Sequence, residues 1–255
     1  MKKRSILTTV VAFLLLAAVV AAGLNAVFTV TYVNADFVTY TQEGEQEAQQ
    51  LKEQLNGYLG KSTTFLDLNE VRATASANPR FNVVRIEKKY PASVVIGIEE
   101  RRSEFAYAAQ DGYDVLDVEG IWIGKSAQSS GFVELKGDFS FTYESGRISG
   151  AYAQELIGMY AVMSELLGEP RANVLSLTFE DSGDTSSDRF DRFRIAMREG
   201  VEIVIGEPSV RAQDKVRAAL AVYLDLTQSE RVSGTINTAI VTSTGEAAAY
   251  YFPEN

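Results

Sequence analysis

Histidine and cysteine are both absent from this chain of 255 residues. Their absence removes the commonest general base, the commonest metal ligand and every catalytic pair that needs an imidazole or a thiol. Paired carboxylates and serine–lysine pairs remain as possible catalytic groups. We therefore predict no catalytic residues, no cofactor and no metal ligands, and we keep an enzyme with carboxylate chemistry as an alternative.

Two Gly-Lys-Ser tripeptides, which begin at Gly60 and Gly124, resemble the end of a phosphate-binding loop. Such a loop needs a further glycine at a fixed distance before Gly-Lys. At that distance this chain has Leu55 and Glu119. Both tripeptides are therefore predicted to be ordinary turns without a bound phosphate.

Two groups of charged residues could be taken for a polar site. Residues 99–102 read Glu-Glu-Arg-Arg, but neighbouring residues of a strand point to opposite faces, so we predict a solvated strand end. The second group is the acidic loop at 181–191, which contains Asp181, Asp184, Asp188 and Asp191. It lacks the ligand spacing of an EF-hand, so a plain loop is favoured and a calcium site is the minor alternative.

The N-terminal segment is basic and then apolar. Lys2, Lys3 and Arg4 precede an uncharged run whose densely apolar part reaches Phe28. A run of about 20 apolar residues spans a bilayer core, and cations on one flank place that flank in the cytoplasm. We predict a cytoplasmic tail at 1–4 and a single transmembrane helix at 5–28, with a cleaved signal peptide as the alternative.

The rest of the chain is acidic, since the net charge is −10 and the N-terminal segment is basic. An acidic surface repels nucleic acid and anionic lipid headgroups, so we predict no nucleic-acid partner. The absence of cysteine means that no disulfide stabilises the exported part. Its core must come from packing, which the many Val, Ile, Phe and Tyr residues can provide.

Residues 29–103 are predicted to form a small domain with the order β-α-α-β-β. The elements are a strand at 28–33, a helix at 43–58, a short helix capped by Asp67, and strands at 81–89 and 93–100. Alternation predicts that Val84, Ile86, Ile96 and Ile98 lie in the core. A larger mixed α/β domain with an extended β-sheet is predicted for residues 104–255, because strands and two long helices alternate there, and the chain as a whole is predicted to be of the α+β class.

The last predicted strand, Ala247-Ala248-Ala249-Tyr250-Tyr251-Phe252, is the candidate binding site. A chain-terminal strand is often at a sheet edge, where its unpaired backbone groups can bind a partner strand. Small alanines allow close approach, and aromatic residues are common anchors of interfaces. The alternative is that Tyr250 and Phe252 fill the core while Tyr251 is a lone exposed aromatic residue.

Residues 79–101 carry a resemblance to a known family. They read Pro-x-Phe-x-x-Val-x-Ile-x-Lys-x-Tyr-Pro-x-Ser-Val-x-Ile-x-Ile-x-Glu-Arg, which resembles the end of an FtsQ-type POTRA domain. Tyr113, Leu116, Asp117 and Gly120 resemble a later element of the FtsQ/DivIB cell-division proteins. A hairpin from Phe193 to Gly206, followed by Lys215, resembles another. The order of these motifs along the chain matches that family.

The resemblance implies a single-pass type II membrane protein of the bacterial divisome. It implies an outward POTRA domain followed by a β domain, and location at the division septum. The implied partners are FtsB/DivIC-like and FtsL-like division proteins, through which septal peptidoglycan synthesis is controlled. A membrane-anchored cell-envelope enzyme and a POTRA-type chaperone are the alternative functions.

Overall fold

The computed structural model describes residues 2–183, 190–240 and 245–254, without the side chains of 2–10, 21 and 24–26. The chain divides into two compact units, Met1–Arg101 and Arg102–Asn255. Helix α1, Lys2–Val27, opens the first unit. Within the part of the chain that is described, no helix meets the length and hydropathy required to cross a membrane.

The remainder of the first unit follows the predicted order β-α-α-β-β. Its elements are β1 (Tyr32–Val38), α2 (Gln42–Leu55), a 3-10 turn (Asn56–Tyr58), α3 (Leu68–Ala75), β2 (Phe81–Lys89) and β3 (Ser93–Glu100). The sheet order is β1-β3-β2, with β3 parallel to β1 and antiparallel to β2. The first strand begins later than predicted, because Val30 bonds to the loop at Lys61 instead.

Side chains at the helix starts explain where α2 and α3 begin. Thr41 precedes α2 and accepts a hydrogen bond from the Gly44 N–H at 2.9 Å. The predicted cap of α3 is confirmed, since Asp67 accepts from the Asn69 N–H at 2.8 Å. Each cap pairs an N–H that the helix itself leaves unsatisfied.

The core of the first unit lies between the helices and the sheet, and it corrects one prediction. Val84 is 58% exposed, whereas Val83 is 8% exposed. The pairing of β2 with β3 shifts between Val83 and Arg85, so the bulge turns Val84 to the solvent side. Ile96 and Ile98 are buried as predicted, and Ile86 packs against the core.

The second unit is built on a nine-stranded sheet. Its strands are β4 (Phe105–Ala109), β5 (Gly112–Leu116), β6 (Trp122–Ser126), β7 (Val133–Gly137), β10 (Val174–Glu180), β11 (Arg192–Met197), β12 (Glu202–Gly206), β13 (Thr235–Ile240) and β14 (Ala247–Phe252). The order is β14-β13-β12-β11-β10-β7-β4-β5-β6. A separate hairpin joins β8 (Thr142–Glu144) to β9 (Arg147–Ser149). The helices are α4 (Ala153–Leu167), α5 (Pro170–Asn173) and α6 (Ala212–Asp225).

One face of the large sheet carries the core of the second unit. Phe193, Ile195 and Ile203 are fully buried there, and Tyr160 of α4 and Leu220 of α6 belong to the same cluster. Less buried residues, several of them charged, alternate with these core residues along β11 and β12. The sheet therefore has a helix-covered inner face and a polar outer face, as expected for a half-covered sheet.

Candidate functional site

Strand β14 lies at one edge of the nine-stranded sheet. It pairs antiparallel with β13 from Thr235–Phe252 to Ile240–Ala247. In the described part of the chain, no strand is hydrogen-bonded to its other side. An edge strand of this kind presents a row of backbone N–H and C=O groups that can pair with another chain.

The side chains of β14 separate cleanly between the two faces. Tyr250 and Phe252 are 56% and 53% exposed. Tyr251 points the other way, packs against the core, and its hydroxyl lies 2.8 Å from the carbonyl oxygens of Glu230 and Ser233. The alternative interpretation of these aromatic residues is therefore wrong, because Tyr251, and not Tyr250 or Phe252, packs against the core cluster that includes Leu220 of α6.

The three alanines Ala247, Ala248 and Ala249 are half-buried, and Ala249 packs against the core. The predicted site residues thus form one continuous strand but do not share one face. The outer face holds two aromatic side chains, and the inner face fixes the strand to the unit. Tyr250 and Phe252 can therefore be substituted without removing a core side chain.

Gly234 accommodates the close approach of Tyr251 at the start of β13. Its φ is +114°, in the region that favours glycine. A Cβ atom at this position would lie 2.6 Å from Cε2 of Tyr251 and 2.8 Å from the carbonyl oxygen of Phe252. The inner side of β14 is therefore held in place by backbone geometry as well as by packing.

The outer face beside the aromatic pair is charged. Arg194 of β11 contacts Glu202 at 2.6 Å and Glu180 at 2.5 Å. The hydrogen bond with Glu180, together with the Glu202 carboxylate, raises the pKa of Arg194 although burial opposes it. Tyr250 and Phe252 therefore stand at the margin of a polar surface. Aromatic side chains are enriched at protein–protein interfaces, and polar residues are common around them.

The buried carboxylate of Glu100 corrects the prediction of a solvated strand end. Glu100 is 2% exposed and accepts hydrogen bonds from the Tyr40 N–H at 2.6 Å and from the Thr41 N–H at 3.0 Å. The Arg80 guanidinium lies 3.6 Å from the same carboxylate. It faces the first turn of α2, where a negative charge is favourable. Alternation with Ile98 on β3 is the signal in the sequence that indicates its burial.

Gly44 of α2 leaves room for the Glu100 carboxylate, and a Cβ atom there would lie 2.3 Å from it. We expect Gly44→Ala to destabilise the first unit by about 1–3 kcal/mol, because the carboxylate must move away from its donors. Gly57→Ala is the matched control, since nothing lies within 4 Å of its Cβ position. Chemical unfolding of the two variants measures the difference, and equal stabilities would contradict the packing described here.

The Gly-Lys-Ser tripeptides do not form phosphate-binding loops. Gly124 lies within strand β6, and Lys61 pairs with Glu70 at 3.1 Å. Asp184 and Asp188 of the acidic loop lie outside the described residues. Among the residues that are described, no group of three or more acidic side chains is placed to hold a metal ion.

Asp191, at the end of the acidic loop, has a structural role. It accepts hydrogen bonds from the Tyr152 hydroxyl and from the Ser182 N–H, each at 2.8 Å. Burial alone would raise the pKa of Asp191, but the hydrogen bonds from Ser182 and Tyr152 outweigh it and lower the pKa below its usual value. The charged form of Asp191 therefore stabilises the fold.

A carboxylate with a lowered pKa contributes stability above its unfolded pKa of about 4 and loses it as the pH falls through the folded pKa. We expect Asp191→Asn to lower the unfolding free energy at pH 7 by about 1 kcal/mol. The difference from the unchanged chain should shrink as the pH is lowered below about 4. Denaturant unfolding at several pH values measures this difference in free energy. A difference that does not depend on pH would contradict stabilisation by the charged form of Asp191.

Among the comparisons with known proteins, one family model matches part of the first unit. A family model described as "POTRA domain, FtsQ-type" matches residues 46–101. One solved structure that matches is the major extracytoplasmic domain of the trans isomer of the bacterial cell division protein DivIB from Geobacillus stearothermophilus. It is 14% identical with a TM-score of 0.30, over 50% of this chain and 98% of that chain, which is too weak to carry an argument. No curated protein matches the chain.

The chain therefore carries an FtsQ-type POTRA domain within its first unit. This match confirms that residues 79–101 resemble the end of an FtsQ-type POTRA domain, as the sequence indicated.

Proposed function

We propose that this chain is a single-pass membrane scaffold of the bacterial divisome that helps control septal peptidoglycan synthesis. Residues 1–4 are the cytoplasmic tail, 5–28 the anchor, 29–103 the outward POTRA domain and 104–255 the β domain. It is not an enzyme and takes no cofactor. The FtsQ-type POTRA match at residues 46–101 is the observation that carries the proposal.

The proposed anchor is supported by the composition and helical conformation of α1. The helix runs from Lys2 to Val27, begins with cations and contains no acidic residue. Among its described side chains, Leu14, Leu15 and Leu16 are exposed. Large apolar side chains exposed along a helix favour burial in lipid, and the cations at its start favour a cytoplasmic N-terminus.

The proposed partner site is the free edge of β14. A partner segment in extended conformation would pair with the backbone of residues 247–252, while Tyr250 and Phe252 would contact its outward side chains. The family resemblance names the partner as an FtsB/DivIC-like protein, and an FtsL-like protein as a further member of the assembly. The edge position and the two exposed aromatic residues support this assignment.

Depletion of the chain in the bacterium that encodes it tests the proposed function. We expect cells that elongate without forming septa, and recovery when the unchanged chain is expressed again. Depleted cells that form septa at the normal rate would contradict the proposal. Normal septation with a defect in the assembly of exported proteins would instead favour the chaperone alternative.

A further inference from the structure

Three segments of the first unit meet directly after α1. They are residues 28–32, 59–66 and 88–92, and we call them together the α1-proximal end. The Thr63 N–H donates to the Phe28 carbonyl at 2.6 Å, and the Val30 N–H donates to Lys61 at 2.8 Å. The Thr31 N–H donates to the Ala92 carbonyl at 2.9 Å. Since α1 ends at Val27, this end of the unit is covalently next to the helix.

The α1-proximal end exposes large aromatic side chains. Phe65 is 88% exposed, the highest value among the large apolar side chains described. Tyr32 and Tyr90 are each 60% exposed, and Leu59 is also exposed. The rings of Phe28 and Tyr90 pack edge to face with their centroids 6.1 Å apart. Isolated exposed apolar residues are common, but a group of this kind on one end marks an interaction surface.

The α1-proximal end carries three lysines in an otherwise acidic chain. The three segments contain Lys61, Lys88 and Lys89 and no acidic residue, whereas the chain has a net charge of −10. Lys88 donates to the Thr64 carbonyl at 3.1 Å. Lys61 contacts Glu70 of α3 at 3.1 Å, and Lys89 contacts Glu87 of β2 at 3.8 Å. Lys61 and Lys89 therefore each contact a carboxylate that borders this end, on residues outside the three segments.

We propose that the α1-proximal end of the POTRA domain rests on the outer surface of an anionic lipid bilayer. Aromatic side chains are favoured at the membrane–water interface, where the ring is buried and its polar end is hydrated. Lysines next to them are attracted to anionic headgroups. Continuity with α1 is the reason to choose lipid as the occupant. The inference rests on the proposed anchor.

Such contact would restrict how the first unit is oriented above the membrane. Phe65 and Tyr90, on two different loops, would each insert into the headgroup region. A domain held at two points cannot rotate freely about its anchor.

Tryptophan fluorescence of the full chain in vesicles tests the inference. The chain has one tryptophan, Trp122 in the second unit, so Trp122→Phe provides a background without fluorophore. Phe65→Trp then places a fluorophore in the α1-proximal end, and Val38→Trp is the control. Val38 is an exposed residue at the far end of the 7-residue β1, about 20 Å from Tyr32 at about 3.3 Å per residue.

The vesicles contain phosphatidylcholine and phosphatidylglycerol, with or without bromine on the acyl chains. We expect brominated lipid to quench the fluorophore at position 65 several-fold more than the one at position 38. The quenching should weaken in vesicles of phosphatidylcholine alone. Flotation of the vesicles reports separately whether the chain is anchored.

Each of the other outcomes contradicts the inference in a distinguishable way. Equal quenching at 65 and 38 in a chain that floats would overturn the lipid contact and leave the anchor standing. A chain that fails to float would overturn both. A spectral shift at 65 that depends on protein concentration, without quenching by brominated lipid, would assign this surface to a second copy of the chain instead.

Discussion

Replacing both Tyr250 and Phe252 by alanine is expected to lower affinity for the FtsB/DivIC-like partner by at least about 30-fold. Central aromatic anchors of an interface contribute about 2 kcal/mol or more on truncation, and about 1.4 kcal/mol is tenfold in Kd. Both side chains are more than half exposed, so their removal leaves the core of the second unit intact. Binding of the partner to the purified full chain in detergent measures the effect.

Leu175→Ala is the matched control for this double variant. Leu175 is an exposed leucine at the start of β10, four strands from β14 and about 19 Å away at about 4.8 Å per strand. It should bind as the unchanged chain does. Proline at 251 is a less clear test, because Tyr251 also packs against the core and bonds to Glu230 and Ser233. Unchanged affinity in a folded double variant would rule out the aromatic pair as the anchor.

Glu100→Ala is expected to destabilise the first unit by about 3 kcal/mol, because it removes the buried carboxylate that accepts from the Tyr40 and Thr41 N–H groups and lies near the Arg80 guanidinium. Arg80 would keep only its contacts with Glu43 at 2.9 Å and Glu47 at 3.0 Å. Hydrogen exchange of the most protected amides of β3 reports the unfolding free energy of this unit within the full chain.

Glu99→Ala is the control for Glu100→Ala. Glu99 is the preceding residue of β3, and it accepts a hydrogen bond from the Tyr40 hydroxyl on the exposed side. A contact at the surface contributes little, so we expect a loss below about 1 kcal/mol. If the two substitutions lower the unfolding free energy of the first unit equally, the Glu100 carboxylate does not stabilise the start of α2.

Local signals in the sequence predicted much of the fold. Asp67 begins α3, as its position before the helical pattern indicates, and Asp111-Gly112 joins β4 to β5. The small domain was predicted with its full order of elements. These features depend on residues close together in the chain, which is why a single sequence is sufficient to predict them.

Features that depend on distant residues were missed. Strict alternation counted back from Ile86 predicts that Val84 lies in the core. The register shift between Val83 and Arg85 interrupts this alternation, so Val83 is buried and Val84 is exposed. Strands β7, β8 and β9 were not predicted at all. β7 lies in the middle of the sheet between β4 and β10, and that position is set by pairing with strands remote in sequence.

In the candidate site, too, the local features can be predicted from the sequence and the features set by distant residues cannot. The strand over residues 247–252 and its edge position follow from its composition and from its place as the last predicted strand. Which of its aromatic residues faces outward depends on the face that α6 covers, and that is decided by tertiary packing. Alternation separates Tyr251 from Tyr250 and Phe252, but it cannot by itself decide which of the two sides faces the core.

Photo-crosslinking in native membranes tests the central claim most directly. A photoreactive amino acid is placed at position 250 on the outer face of β14, and at position 175 in a parallel strain as the control. We predict a covalent adduct between position 250 and the FtsB/DivIC-like protein, identified by mass spectrometry, and none from position 175. No adduct from position 250, or the same adduct from both positions, would contradict a partner site at the edge of β14.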